Sequence, residues 1–423
     1  MPNARRVPFV AGAVGVLLAT ALTACSSVPM PTPTPTQRAS PAPQGDGILK
    51  FGTMFPTSGA AAFNAPAQVA GVELAVREIN EAGGVLGLPV VVFHRDSGDA
   101  STEKIEVSFS ELLSKEIDVL IGPPSSVLVE RILPKALDAG VAIISPAATS
   151  PRLSRLKDDG LLSRTIPSAA LQGSLLAEVI GTGKKKARIA VIYFDDESGE
   201  PVGQALADAA EEFDVSVVAT EAFDAQTKSF TAMLAKVSKA TPDAVVLVSP
   251  FSAMEQTTAI INGLSSDGLG NDKLWLTSGN LADYSQALPA DTLAGARGIL
   301  EGGEPDAAFT ARVKSMNPAV TDYRYAAEAY DATILAALAA TIDENDSGEA
   351  VATSLRDASQ GGIKCLSFAE CLDVLETQDD IDYDGVSGPV DLDATGDPSP
   401  ANFGIYQYNA ENQFARVEGV VGG

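Results

Sequence analysis

Two short apolar runs break into small hydroxyl residues within the first 150 positions. They are Asp118-Val-Leu-Ile-Gly-Pro-Pro-Ser-Ser-Val-Leu-Val-Glu130 and Val141-Ala-Ile-Ile-Ser-Pro-Ala-Ala-Thr149. Hydroxyl oxygens beside the free backbone N–H groups of a helix start can hold a small anion, and a carboxylate is the natural guest. Residues 119–122 and 141–145 read as neighbouring strands of a parallel sheet, with Ser125 and Ser126 opening a helix between them. In such a sheet the crevice lies beyond the carboxyl ends of the strands. Ordinary N-caps of surface helices would use the same residue types. Spacing alone does not separate the two.

The elements that must position these hydroxyls alternate along the chain. Strands are expected at 49–55 and 89–93, and helices at 65–82, 101–115 and 126–138, from apolar periodicity closed by Gly83-Gly84 and similar breaks. A second series begins after Arg164-Thr-Ile-Pro167. It has helices at 169–180, 202–212, 230–239 and 253–264, interleaved with strands at 188–193, 215–219, 244–248 and 274–276. A helix at 325–342 and a strand at 403–408 complete one lobe or both. Alternating strand and helix is the signature of an α/β parallel sheet. A body running from 48 to 423 is too long for one comfortable core, so two lobes are expected.

Ahead of that body, Arg5 and Arg6 precede a mostly apolar run from Val7 to Ala21. A charged start, an apolar middle and small residues before a cut are the layout of an export signal, here 1–24. Leu22-Thr-Ala-Cys25 resembles a bacterial lipobox, which implies acylation of Cys25 and a place on the extracytoplasmic side of the cell membrane. An uncleaved anchor is opposed by Pro8, Gly12 and Gly15 inside the run. Residues 25–47, with the Pro-Thr alternation of 31–36, read as an extended tether. The 423-residue chain has a formal charge of −26, and losing Arg5 and Arg6 takes it to −28. That acidity argues against nucleic-acid binding and against a basic membrane-docking face.

Enzyme signatures fail on inspection. Gly181-Thr-Gly-Lys-Lys-Lys186 lacks the spacing and hydroxyl of a phosphate loop, no Gly-x-Ser-x-Gly elbow occurs, and His94 is the single histidine. No cofactor is expected, and the protein is read as a non-enzyme. Cys365 and Cys371, six apart, suit a small disulfide clasp in an exported protein. Asp380-Ile-Asp-Tyr-Asp-Gly385 with Asp391 has the spacing of a calcium loop, through Asp380, Asp382, Asp384 and Asp391. An acidic turn closing a strand accounts for the same residues, because Ser387 and Asp391 depart from the loop pattern and no clear helices flank it.

With these residues laid out, the body resembles the leucine/isoleucine/valine-binding family, the solute receptors of amino-acid ABC importers. Gly71-Val-Glu-Leu-Ala75, Glu78-Ile-Asn-Glu-Ala-Gly-Gly-Val-Leu-Gly87, Ile121-Gly-Pro-Pro-Ser-Ser126, Ile144-Ser-Pro-Ala-Ala-Thr-Ser-Pro151 and Ala329-Tyr-Asp-Ala332 carry the likeness. The resemblance implies two doubly wound parallel-sheet lobes joined by a three-crossover hinge, the type I periplasmic-binding fold. The N-terminal lobe would be 48–165 plus 297–400, and the C-terminal lobe 166–296 plus 401–423. It implies a monomer that binds a small carboxylate solute, an amino acid in the first instance, and delivers it to a membrane permease. Receptors of the same shape for amide, urea-like or aromatic acid solutes, and a ligand sensor without transport, are the alternatives.

Matched to the family, the carboxylate falls to Ser126, Ala147 and Thr149, with Ser125 lining the side-chain pocket and Phe63 an apolar contact. On the second lobe the match weakens. Asp195-Asp-Glu-Ser-Gly199 replaces the family's Tyr-Gly, leaving Ser198 as a contact, and Phe251 stands for a hydroxylated aromatic. The acid expected for the ligand's ammonium is missing from Thr277-Ser-Gly-Asn280. Asp283, Asp196 or Glu197 are the candidates to replace it, since a buried ammonium without a counter-charge is costly.

Overall fold

The computed structural model describes residues 44–423 apart from Ala60, Glu197, Ser198, Glu304, Gln378 and Asp379. The expected leader, Cys25, most of the tether and Ser198 therefore lie outside the described residues. Among those described, no helix is long and apolar enough to cross a membrane.

The first lobe begins β1 (Lys50–Phe55), α1 (Ala65–Glu81), β2 (Val91–Asp96), α2 (Lys104–Leu113), β3 (Val119–Ile121), α3 (Ser126–Ala139), β4 (Ala142–Ser145) and β5 (Leu162–Arg164). Its five strands lie in the order β2-β1-β3-β4-β5, all parallel. Its central strands β3 and β4 are covered on both faces, so they read as near-continuous apolar runs rather than alternating ones. Their side chains divide by the two-residue period of a strand. Phe51, Phe55, Val119, Ile121, Ala142 and Ile144 enter the core under α1, whereas Met54, Leu120 and Ile143 pack beneath α2 and α3.

The second lobe runs α4 (Ala169–Gly181), β6 (Ala187–Phe194), α5 (Gly199–Ala209), β7 (Val215–Phe223), α6 (Thr231–Lys239), β8 (Ala244–Val248), α7 (Met254–Ser266), β9 (Leu274–Leu276) and β10 (Arg297–Glu301). The chain then returns to the first lobe as α8 (Ala307–Met316), α9 (Ala326–Ile342), α10 (Gly348–Ser359), β11 (Ile363–Cys365), α11 (Phe368–Leu375), β12 (Ile381–Gly385) and β13 (Gly388–Pro389). It ends back in the second lobe with β14 (Ala401–Tyr408) and β15 (Phe414–Gly422). The second sheet has the order β15-β14-β10-β9-β8-β6-β7, parallel except where β14 joins β10 and β15. Strand β10 pairs with β9 and β14, so residues 297–301 belong to the second sheet. The disulfide Cys365–Cys371 joins β11 to α11.

Helix α9 is buried on every side from Ala326 to Ala340, packed among β3, β4, α1 and α10, and its many alanines let these neighbours come close around Tyr330, Ile334, Leu335 and Leu338. It also collects the three chain crossings between lobes. Thr165, just past β5, donates to the Glu328 carbonyl at 2.7 Å. Gly302, just past β10, has φ +91°, and a Cβ there would lie 2.1 Å from Glu328 Oε1, so only glycine fits. Asp331 holds the third crossing indirectly. Its carboxylate accepts from Tyr383 Oη and the backbone and hydroxyl of Ser387, and the Ser387 carbonyl receives Gly303 N–H and Asn402 Nδ2.

Candidate functional site

Between the strand ends of the two sheets lies a cavity of about 330 Å³, large enough for a small solute. The first lobe contributes Pro56, Ala61, Asn64, the Ser97–Ala100 loop, Pro124, Ser125, Leu128, Ala147 and Thr149. The second lobe contributes Gln172, Asp196, Gly199, Val248 to Phe251 and Thr277 to Gly279, and Tyr325 closes the floor.

Ser125 occupies the N-cap of α3 with extended backbone, yet its side chain makes no capping hydrogen bond. The hydroxyl is therefore not consumed by the helix, against the ordinary-cap reading of this position. Ser126 behaves differently. Its Oγ accepts the Ser150 N–H at 3.1 Å, and it is not part of the cavity wall. It braces the turn that carries Thr149. Behind that turn, Ser145 Oγ donates to the Pro123 carbonyl at 2.7 Å and accepts the Ala148 N–H at 3.1 Å, tying the two strand ends together. Gly122 sits at φ +100° because a Cβ there would stand 2.6 Å from the Met54 carbonyl.

Arg164, only 2% exposed, fixes the same turn from beneath. Its Nη1 donates to the carbonyls of Ala148 and Ser150, on either side of Thr149, at 3.0 Å each. Its Nε and Nη2 reach both oxygens of Asp397 at 2.6 Å. The neighbouring loop is set by Asp96, which accepts Thr57 N–H, Gly98 N–H, Ser58 Oγ and Lys104 Nζ. Burial pushes the Asp96 carboxyl up, but these donors outweigh it and hold the group well below the ordinary range.

At the cleft mouth, Phe63 from the first lobe meets Phe251 from the second edge-on, with centroids 5.8 Å apart. The Arg324 guanidinium lies 5.4 Å from the Phe63 ring centre and 5.5 Å from that of Phe251, and is held by Asp322. Burial raises the Asp322 carboxyl, yet the hydrogen bonds and charge of Arg324 prevail and lower it.

The expected second-lobe acids fare unequally. Asp196 lines the cavity, although one of its oxygens accepts the Gly199 N–H at 2.8 Å. Asp283 is not among the residues that line the cavity. It lies at the surface, bonded to Ser285 N–H and Gln413 Nε2, because its segment turns away to pack on the loop after β14. Glu197 and Ser198 are outside the described residues. The acid that sequence reasoning missed is Glu301, 4% exposed at the end of β10. Its Oε1 accepts Gln172 Nε2 at 2.9 Å and Ser278 Oγ at 3.1 Å, directly behind two wall residues. Burial pushes its carboxyl up to about 7, and that of nearby Glu328 up to about 8. A polar Gln172 inside the apolar stretch 169–180, and an acid ending the run Gly298-Ile-Leu-Glu301, were the available signals.

His94 lies within β2, with Nδ1 2.7 Å from Thr53 Oγ1 and Nε2 2.9 Å from Glu73. Of the calcium-loop residues, Asp382, Asp384 and Asp391 converge, while Asp380 is not among them. Asp382 and Asp384 belong to strand β12, and Lys364 Nζ reaches both at 3.3 and 2.8 Å. A strand partnered by a lysine, not a helix-flanked loop, organises these acids.

Comparison with known proteins agrees with this architecture. The family model described as periplasmic binding protein matches residues 48–410. A chemotactic signal transduction system substrate-binding protein, BasB, of Halobacterium salinarum is 24% identical over 82% of this chain and 84% of its own length. The leucine-specific-binding protein of Salmonella typhimurium is 26% identical over 50% of this chain and 59% of its own length. Among solved structures, LivJ of Streptococcus pneumoniae in complex with isoleucine superposes with a TM-score of 0.67 at 22% identity, over 88% of this chain and 99% of that one. A benzoate complex of a solute-binding protein from R. palustris gives 0.64 at 18% identity, over 89% and 97%. At these identities the structural neighbours speak for the fold. The chain belongs to the periplasmic binding protein family and has its two-lobed type I fold.

Proposed function

We propose that this protein is the extracytoplasmic receptor of an ABC importer, tethered through acylated Cys25, which closes its lobes on a small carboxylate solute and presents it to a permease. An amino acid is the leading ligand. The observation that carries this reading is the first-lobe wall, where Ser125, Ala147 and Thr149 border the cavity at the open end of α3. Hydroxyls and helix-start N–H groups there favour an anion. Phe251 and the benzoate-bound neighbour favour an aromatic acid as the second reading.

A thermal-shift screen of amino acids, amides and organic acids tests the ligand class. A true ligand at 100 times its dissociation constant should add ~2.7 kcal/mol of stability. Ser126→Ala combined with Thr149→Ala should weaken binding by roughly tenfold or more, the first by releasing the Ser150 turn and the second by removing a hydroxyl from the wall. Wild-type affinity of that double variant in calorimetry would sink the carboxylate cradle.

The mouth contact supports closure by hinge motion. Arg324 touches one ring from each lobe, and a cation over an aromatic face contributes about 0.5–1 kcal/mol. Arg324→Ala should therefore release ligand about two- to fivefold faster, read by stopped-flow dissociation, with Arg324→Lys between the two.

A further inference from the structure

The two walls of the cavity are chemically opposite, and the second is backed by a charge that does not reach its surface. Ser278 Oγ donates to Glu301 Oε1 and accepts from Gln172 Nε2, which leaves one lone pair of the hydroxyl to accept from a group in the cavity. Gln172 Nε2 lies 3.3 Å from the same Oγ and also donates to Glu301. Glu301 Oε2 is buried without a hydrogen-bond partner. Such an oxygen is costly to leave unmatched, so the site gains from a positive group brought near it.

We propose that Glu301, acting through Ser278 and Gln172, makes this wall selective for a ligand that carries a protonated amine opposite its carboxylate. The proposal rests on the carboxylate reading of the first-lobe wall and names the class of solute within it, a zwitterion. The acid comes from β10, one strand over from the stretch after β9 where the resemblance places it.

The surroundings leave Glu301 the group best suited to this task. Arg324, in the small cavity behind Tyr325 that Glu301 also lines, is held by Asp322. Among the described residues, the remaining polar side chains there are Glu328 from α9, Tyr323, Tyr325, and Tyr406 from β14, and none supplies a positive charge. Asp196 stands on the cavity surface, but it is partly exposed and caps its own helix start through Gly199. An ammonium entering from the cleft would meet the Ser278 hydroxyl first and the Glu301 charge just behind it. Because burial holds the Glu301 carboxyl near 7, pairing demands its ionised form, and the proton leaves to solvent as the ligand binds.

The test is calorimetry with two matched pairs: leucine against 4-methylpentanoate, and phenylalanine against 3-phenylpropionate. Wild type should prefer the amine-bearing member of at least one pair by roughly tenfold or more at pH 8. That preference should shrink about tenfold on going to pH 6, with proton release to the buffer at pH 6.5. Glu301→Gln should collapse the preference ratio and abolish its pH dependence. Ser278→Ala, which touches the surface hydroxyl only, should lower the ratio in the same direction. Far-ultraviolet circular dichroism and thermal unfolding confirm that each variant is folded. An unchanged ratio in folded Glu301→Gln, or a ratio lost with Asp196→Asn instead, overturns the inference while leaving the carboxylate cradle standing. Tighter binding of the deaminated acids by wild type also overturns it. If none of the four acids, nor benzoate, binds wild type, the carboxylate reading falls first and this inference with it.

Discussion

Arg164→Met should cost about 3–5 kcal/mol of stability, because it strands a buried carboxylate. Asp397 is 12% exposed at its side chain, and Arg164 meets both its oxygens. Methionine fills a similar volume but donates nothing. The variant would also free the carbonyls of Ala148 and Ser150, so the Thr149 turn loses its support while the strands beneath it remain. Affinity for any carboxylate ligand should fall even at temperatures where the variant is fully folded. Replacing the whole pair, as Arg164→Met with Asp397→Leu, should restore much of the stability, since no buried charge is then left alone. It should not restore affinity. Urea midpoints with an unchanged slope give the first quantity and calorimetry gives the second. A loss under about 1 kcal/mol for the single variant would mean that Arg164 does not anchor the turn.

The parts of the molecule that could be read from sequence are those where one physical demand acts alone. Strand β8 is apolar at all five positions because both faces are covered, and its limits agree with the reading. Helix α9 was legible as a helix from its alanines, although nothing in them announced that it would gather the lobe crossings. Strand β15 was not legible, since most of its residues face solvent and carry no buried period. The acidic run at 380–385 shows how two demands can share one spacing. Carboxylates at alternate positions fit a calcium loop, but alternation is also the period of a strand. Ile381 and Tyr383 are wholly buried, and the alternating Asp382 and Asp384 are both within reach of Lys364 Nζ.

The site divides along the same line. Ser125, Ala147 and Thr149 follow strand ends directly, so local sequence places them at the crevice. Glu301 stands behind the opposite wall only because β10 lies beside β9, with Gly298 opposite Leu276, a pairing between residues 22 apart. Asp283, which follows the stretch after β9 in the chain, is exposed and bonded to Gln413. Sequence distance carries no information about which acid faces the cleft; sheet order does.

Asp331 joins fold and function most directly, and Asp331→Ala should be among the most damaging single changes outside the cavity wall. The carboxylate accepts Tyr383 Oη at 2.8 Å, Val386 N–H at 3.0 Å, Ser387 N–H at 2.8 Å and Ser387 Oγ at 2.5 Å. Removing it leaves these donors buried without an acceptor, at about 1–3 kcal/mol for each that water cannot reach. A total of about 4 kcal/mol is expected, read from the urea midpoint. Asp331→Asn keeps one oxygen acceptor but turns an amide toward Ser387, so an intermediate loss is expected. The functional consequence follows from the Ser387 carbonyl, which receives Gly303 N–H at 3.1 Å and Asn402 Nδ2 at 3.3 Å from two different lobe crossings. Loosening Ser387 therefore loosens the hinge as well as the first lobe. Amide hydrogen exchange should speed up at Val386, Ser387 and Gly303 well beyond any global change, and ligand should dissociate faster from Asp331→Asn than from wild type. Exchange at Gly303 that rises only in step with the core strands would show that Asp331 supports the lobe alone and not the hinge.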